Sequence, residues 1–252
     1  MSFFSSWSSS AAEYDEQPAW QLAGWASIQL SRDDRLRLIN FPAAITDVVR
    51  QAIYASWPKG IDGEKDLSDW GAGCWEFKLG GYPWEGQGSE AVPSKQMMCE
   101  ILQELSRYGW HIAVATDLSK KEYDKDTLIM RAGPPVYREV FAVTFNEWDK
   151  MRLIDAPNED VHNAYLSAAH LWPQGIQDAK EKDGSYQFKL RGNPWATSDG
   201  MEVVHARVLA MHIIAKFDAL GYELMTTMDM NSGYGDSGDI DTWIFASKIE
   251  TT

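Results

Sequence analysis

The sequence predicts an α+β fold built by tandem duplication of a ββαβαββ unit, with two helices packed on a mainly antiparallel sheet in each copy and a pseudo-twofold arrangement of the copies. Three observations lead there. The stretches WEFKLGGYPW from Trp75 and YQFKLRGNPW from Tyr186 nearly coincide, and such self-similarity marks a repeated structural unit. The match extends in order on both sides of them. Arg37, Ile39, Pro42, Trp57, Pro58, Gly60 and Ile61 answer to Arg152, Ile154, Pro157, Trp172, Pro173, Gly175 and Ile176, and Gly88, Glu90, Val92 and Gly109 answer to Gly200, Glu202, Val204 and Gly221. Hydrophobic spacing also alternates between strand-like and helical periods in the same order twice. Residues 25–133 and 140–248 are thus the two copies, 134–139 a joint stiffened by Pro134 and Pro135, and 1–24 and 249–252 the tails.

The elements follow one another the same way in both copies. Residues 27–30 and 35–39 cluster or alternate as strands, as do 142–145 and 151–154. Pro42 opens a helix carrying Ile45, Val48, Val49, Ala52 and Ile53, and Pro157 opens its counterpart with Val161, Ala164, Tyr165 and Ala168. After a Trp-Pro turn, the next residues read as a polar loop. Residues 75–79 and 186–190 then form strands stopped by Gly-x-Pro-Trp. A second helix follows, with Met98, Ile101, Leu102 and Leu105 in one copy and Ala210, Ile213, Ile214 and Phe217 in the other, ending at Gly109 or Gly221, where a residue of positive φ is favoured. Residues 111–116 with 128–131, and 223–228 with 242–246, close each unit as strands.

Composition bounds the function. With 23 Lys+Arg against 37 Asp+Glu the formal charge is −14, which disfavours phosphate backbones and anionic membrane surfaces as partners. No stretch approaches the ~18 apolar residues of a membrane span, and the start lacks the basic and apolar regions of a secretory signal, so a cytoplasmic location is expected. Cys74 and Cys99 are then expected as free thiols. The Ser-rich start, with Phe3, Phe4 and Trp7, reads as a flexible tail.

Because the copies have diverged, polar and aromatic residues kept by both form a short list of candidates. Lys78, Trp84 and Glu90 match Lys189, Trp195 and Glu202 around the Gly-x-Pro-Trp corner. An aromatic plate beside a cation and a carboxylate would suit a polar ligand with an apolar face. The same residues also suit a turn plug, a solvated strand face and a helix start. Asp117 with Asp126, and Asp229 with Asp241, bracket a hairpin and could bring carboxylates together. In copy 2 that hairpin adds Asn231, Asp236 and Asp239, making Asp229, Asn231, Asp236, Asp239 and Asp241 an oxygen-rich metal candidate, although Tyr234 and Ile240 stand where a calcium-binding EF-hand loop needs Gly and Glu. Gly233, Gly235 and Gly238 spell a dinucleotide fingerprint without the helix that must follow it, and Asp236-Ser237-Gly238 matches a serine-protease segment without its double-barrel scaffold. The five histidines lack ligand spacing. No cofactor is expected.

The leading expectation is a non-enzymatic binding or interaction protein with two similar modules, acting on a protein partner or a small polar ligand, with self-association as a further route. One alternative is a small-ligand or carbohydrate-binding module stacking on Trp84 and Trp195. Another is an enzyme that gathers the repeated Lys, Glu and Asp residues in a cleft between copies.

Overall fold

A computed structural model of the chain describes residues 23–85, 88–119, 125–182, 184–197, 200–230 and 240–249. Copy 1 runs β1 (Trp25–Ser31), β2 (Arg35–Ile39), α1 (Ala43–Ser56), β3 (Ile61–Asp66), β4 (Cys74–Leu79), α2 (Ala91–Arg107), β5 (Trp110–Thr116) and β6 (Thr127–Ala132). Copy 2 repeats it as β7 (Val140–Asn146), β8 (Lys150–Ile154), α3 (Glu159–Ala169), β9 (Ile176–Lys182), β10 (Ser185–Leu190), α4 (Gly200–Ala219), β11 (Tyr222–Met228) and β12 (Thr242–Ser247). The strand order is β3-β4-β2-β1-β6-β5 in one sheet and follows the same path, β9-β10-β8-β7-β12-β11, in the other. Every neighbouring pair is antiparallel. The duplicated α+β architecture is therefore present in both chain and fold.

Each unit has one strand more than ββαβαββ. The segments expected as polar loops, IDGEKD and IQDAKEK, are β3 and β9, so the unit is ββαββαββ. They are edge strands with only Ile61 and Ile176 turned toward the apolar side. A strand paired on one side, with little of its surface buried, needs no alternation of apolar residues and so shows none. Copy 1 anchors this edge through Glu64, which accepts from Arg50 Nε and from Trp75 Nε1, both at 2.8 Å.

Local chemistry places the other boundaries. The β1–β2 and β7–β8 turns carry Arg32 and Glu147 at positive φ, and β2 and β8 end in Asn40 and Asp155, also at positive φ, a conformation that Asn and Asp tolerate best among non-glycine residues. Asn158 caps α3 by accepting from the Val161 N–H at 3.0 Å.

The copies pack through unlike elements, which corrects the pseudo-twofold expectation. The inner face of the first sheet is covered by α1 and α2, and the far side of α2 lies on the back of the second sheet at β7 and β8. Strand β7 is consequently buried on both faces. Val140 and Ala142 join the core of copy 1, whereas Phe141, Val143 and Phe145 join a second core under α3 and α4. The order of layers is sheet, helices, sheet, helices. A twofold would cover α4 with the back of the first sheet, but the outer face of α4 is open. At one side the edge strands β5 and β11 come together, closing the sheets around α2. Gln96 Nε2 donates to Asp155 Oδ1 at 2.7 Å and Ser106 Oγ to the Val136 carbonyl at 2.9 Å, tying α2 to the neighbouring copy and to the joint.

Candidate functional site

The two Gly-x-Pro-Trp corners fold their indoles back over the core. Trp84 Nε1 donates to the Arg35 carbonyl and Trp195 Nε1 to the Lys150 carbonyl, each at 2.9 Å, while each tryptophan's own N–H donates into the first turn, to Asp33 or Trp148. The corner is thereby bolted to the β1–β2 or β7–β8 hairpin, satisfying the ring donor that burial would otherwise strand.

The repeated Glu and Lys residues contact neighbouring groups at these corners or on the sheet surface. Glu90 accepts from the Tyr82 N–H at 2.7 Å and pairs with Lys59, and Glu202 accepts from Gln174, which stands at the position of Lys59. Gly81 and Gly192 lie at positive φ, where a Cβ would come within 2.7 Å of Glu90 and 2.5 Å of Gln174. Lys78 reaches Asp62 at 2.9 Å and Lys189 reaches Asp149 at 3.6 Å. Both lysines alternate with inward residues such as Phe77 and Phe188, so they lie on the opposite sheet face from the tryptophans.

The corners then diverge. Trp84 is fully buried, whereas Trp195 is only partly so and borders an apolar pocket of about 280 Å³. Phe145, Trp195, Trp243, Ala206 and Ala210 form its walls, and the exposed Arg207 sits at its lip. Phe145 meets Trp195 and Trp243 edge to face, at centroid distances of 4.8 and 4.9 Å. The copies differ in side-chain volume on the helix that borders the pocket. In copy 1 the places of Ala210 and Ala206 belong to Met98 and Ser94, and Met98 is fully buried against the core. Sequence reading singled out Trp195 but missed Ala210, whose signal is the loss of a large residue at a matched core position.

The repeated aspartates meet at the seam between the copies. The Asp229 N–H donates to Asp126 Oδ2 at 2.8 Å and the Asp126 N–H to the Asp229 carbonyl at 3.2 Å. Burial raises the pKa of the Asp126 carboxyl, and the nearby charges of Asp241, Asp229 and Asp117 add to the rise. Of the metal candidates, Asp229 and Asp241 are described, while Asn231, Asp236 and Asp239 lie outside the described residues, as do the glycine fingerprint and the Asp-Ser-Gly segment. Among the described residues, no three His, Cys, Asp or Glu side chains gather as a metal site.

A second cavity of about 500 Å³ does lie between the copies, bordered by Trp110, His111, Arg131, Arg138 and Met225. Arg131 and Arg138 give it cationic groups, and none of the repeated Lys, Glu or Asp residues lines it. Arg138 is buried and held by Glu223 at 2.6 Å and the Ser247 carbonyl at 2.7 Å. Cys74 and Cys99 are free and buried. No helix among the described residues is long and apolar enough to cross a membrane.

Comparison with known proteins returns one domain family, whose model matches the chain twice, over residues 24–131 and 139–246. Searches of curated proteins and of solved structures found no match.

Proposed function

The chain belongs to the family of this twice-matched domain, and on that footing we propose that it is a non-enzymatic binding protein whose recognition pocket lies in copy 2 beside Trp195. The observation that carries this reading is the pocket of about 280 Å³ between aromatic walls in the second copy, where Ala210 stands at the position that Met98 fills in the first. An apolar cavity of about 150 Å³ is enough for a benzene ring, so this pocket has room for an aromatic or branched aliphatic side chain of a partner protein. Burying such a group would contribute about 1.5 to 3 kcal/mol. The pocket favours an apolar protein side chain over a carbohydrate, because its lining offers rings but few polar groups to sort hydroxyls.

In support of binding rather than chemistry in a cleft, Lys78, Lys189, Glu90 and Glu202 are engaged by neighbours on their own copy, and none of them lines the cavity between the copies. The test is to titrate the N-acetyl amides of Leu, Phe and Trp into ¹⁵N-labelled protein and follow the indole N–H signals. Shifts at Trp195 and Trp243, abolished in Ala210→Met with the fold intact, are expected. Unmoved signals in wild type, or equal shifts in the variant, would overturn the reading.

A further inference from the structure

The two ends of the layered molecule carry the two halves of an interface that the chain already builds once inside itself. On α4, Met201, Val204, Val208 and Met211 recur at spacings of three and four and face outward, with exposures of 76, 60, 37 and 60 %. That spacing makes one continuous stripe along the helix. It is the opposite stripe from Leu209, Ile213 and Phe217, which α4 buries in its own core. A helix apolar on both sides is ordinarily covered on both sides.

Copy 1 shows what covers the matching stripe. There the positions of Val204, Val208 and Met211 are held by Val92, Gln96 and Cys99, which pack on the back of the second sheet. Val92 is 3 % exposed and Cys99 2 %. The covering surface is formed by Val140, Ala142, Ile154 and Ile244. In the first sheet those four positions carry Trp25, Ser27, Ile39 and Ile129, and none of them is buried. Trp25 and, on β5 opposite Ile129, Val114 are exposed there at 41 and 49 %. Arg37 and Trp70 stack nearby, 5.8 Å from guanidinium to ring centroid. Trp25 and Trp70 are exposed, and tryptophan is a residue type that anchors protein interfaces.

We propose that a second copy of this chain docks the back of its first sheet onto α4, repeating between molecules the packing of α2 on the second sheet. The inference stands apart from the Trp195 pocket, since none of Met201, Val204, Val208 or Met211 lines it. The contact is head to tail, each molecule using different surfaces on its two sides, so association proceeds beyond dimers unless the rotation closes a ring. A helix of 20 residues offers a strip about 30 Å long. Such a strip lies at the small end of specific interfaces, so association is expected to depend on concentration. The formal charge of −14 on each molecule opposes approach, so added salt strengthens the assembly.

Sedimentation velocity on the full chain, over a hundredfold range of concentration, tests this. Wild type should grow in mean mass with concentration, more so at 0.5 M than at 0.05 M NaCl. Val204→Glu with Met211→Glu blocks the helix end, and Ser27→Arg with Ile129→Arg blocks the sheet end. Each double variant alone should remain monomeric with an unchanged circular dichroism spectrum, and an equimolar mixture should form dimers and stop there, because one intact end of each kind survives. Ala210→Met should associate like wild type whether or not the pocket reading holds. A monomeric wild type at every concentration would overturn the proposal without any variant, as would a sheet-blocked variant that still dimerises through α4 alone, or blocked variants that do not complement.

Discussion

Gln96 on α2 and Asp155 at the end of β8 form a side-chain hydrogen bond that crosses from one copy to the other, 2.7 Å from Nε2 to Oδ1. Burial nevertheless raises the Asp155 pKa against the pull of that donor. Glu100, whose own pKa is raised mainly by burial, and Glu139 border the same small cavity.

Asp155→Asn should therefore stabilise the protein at neutral pH. The new amide keeps the acceptor for Gln96 and removes the buried charge, and Asn40 already occupies the matching position in copy 1 with the same positive φ. With a raised folded-state pKa, the penalty of the ionised carboxylate is full above that pKa and disappears as pH falls below the ordinary aspartate value of about 3.9. The expected gain is about 1 kcal/mol near pH 7.5, roughly 2 to 4 °C in melting temperature for a chain of this size, fading toward pH 3.5. Melting curves of both proteins across that range check it, and a pH-independent difference would contradict it.

The two corner tryptophans should separate in stability. Trp84→Ala removes a fully buried ring and should cost about 3 to 5 kcal/mol. Trp195→Ala removes a ring that already borders a cavity, so its cost should be smaller by at least about 1 kcal/mol. Urea titrations with equal m-values give the comparison, and equal losses would show that the pocket does not relieve packing around Trp195.

Gly109 and Gly221 follow the second helix of each copy at φ of 78° and 86°. A Cβ on Gly109 would sit 2.4 Å from the Gly133 carbonyl oxygen, whereas one on Gly221 meets nothing within 4 Å. Gly221→Ala should cost only the left-handed backbone penalty, about 1 to 2 kcal/mol. Gly109→Ala should cost clearly more, because a backbone atom must move as well. Chemical unfolding of the pair decides it.

Burial pushes the Cys74 thiol up, and the Cys99 thiol further still. Since the thiolate is the reactive form, 5,5′-dithiobis(2-nitrobenzoic acid) should titrate both cysteines rapidly in 6 M guanidinium chloride and neither rapidly in the native protein. Fast native reaction at either site would place it in an open rather than a packed state.

The duplication and most of the elements are legible in the residues alone, because matched prolines, glycines and apolar spacings act locally and are written twice. Pro42 and Pro157, the two Gly-x-Pro-Trp corners, and Gly109 and Gly221 each mark a boundary that neighbouring residues explain. Strands β3 and β9 escape such reading, since an edge strand holds its place by backbone pairing and by bonds such as Arg50 to Glu64, not by an apolar face. How the copies meet is set by long-range packing. Val140, Ala142, Ile154 and Ile244 read as ordinary strand residues in sequence, yet they form the back of a sheet that receives α2. The same packing sets the fates of matched residues apart: Cys99 is covered while Met211 is exposed, and Met98 is packed while Ala210 leaves a pocket. Periodicity tells that a helix has two apolar sides, but which neighbour covers each side depends on surfaces brought together from distant parts of the chain.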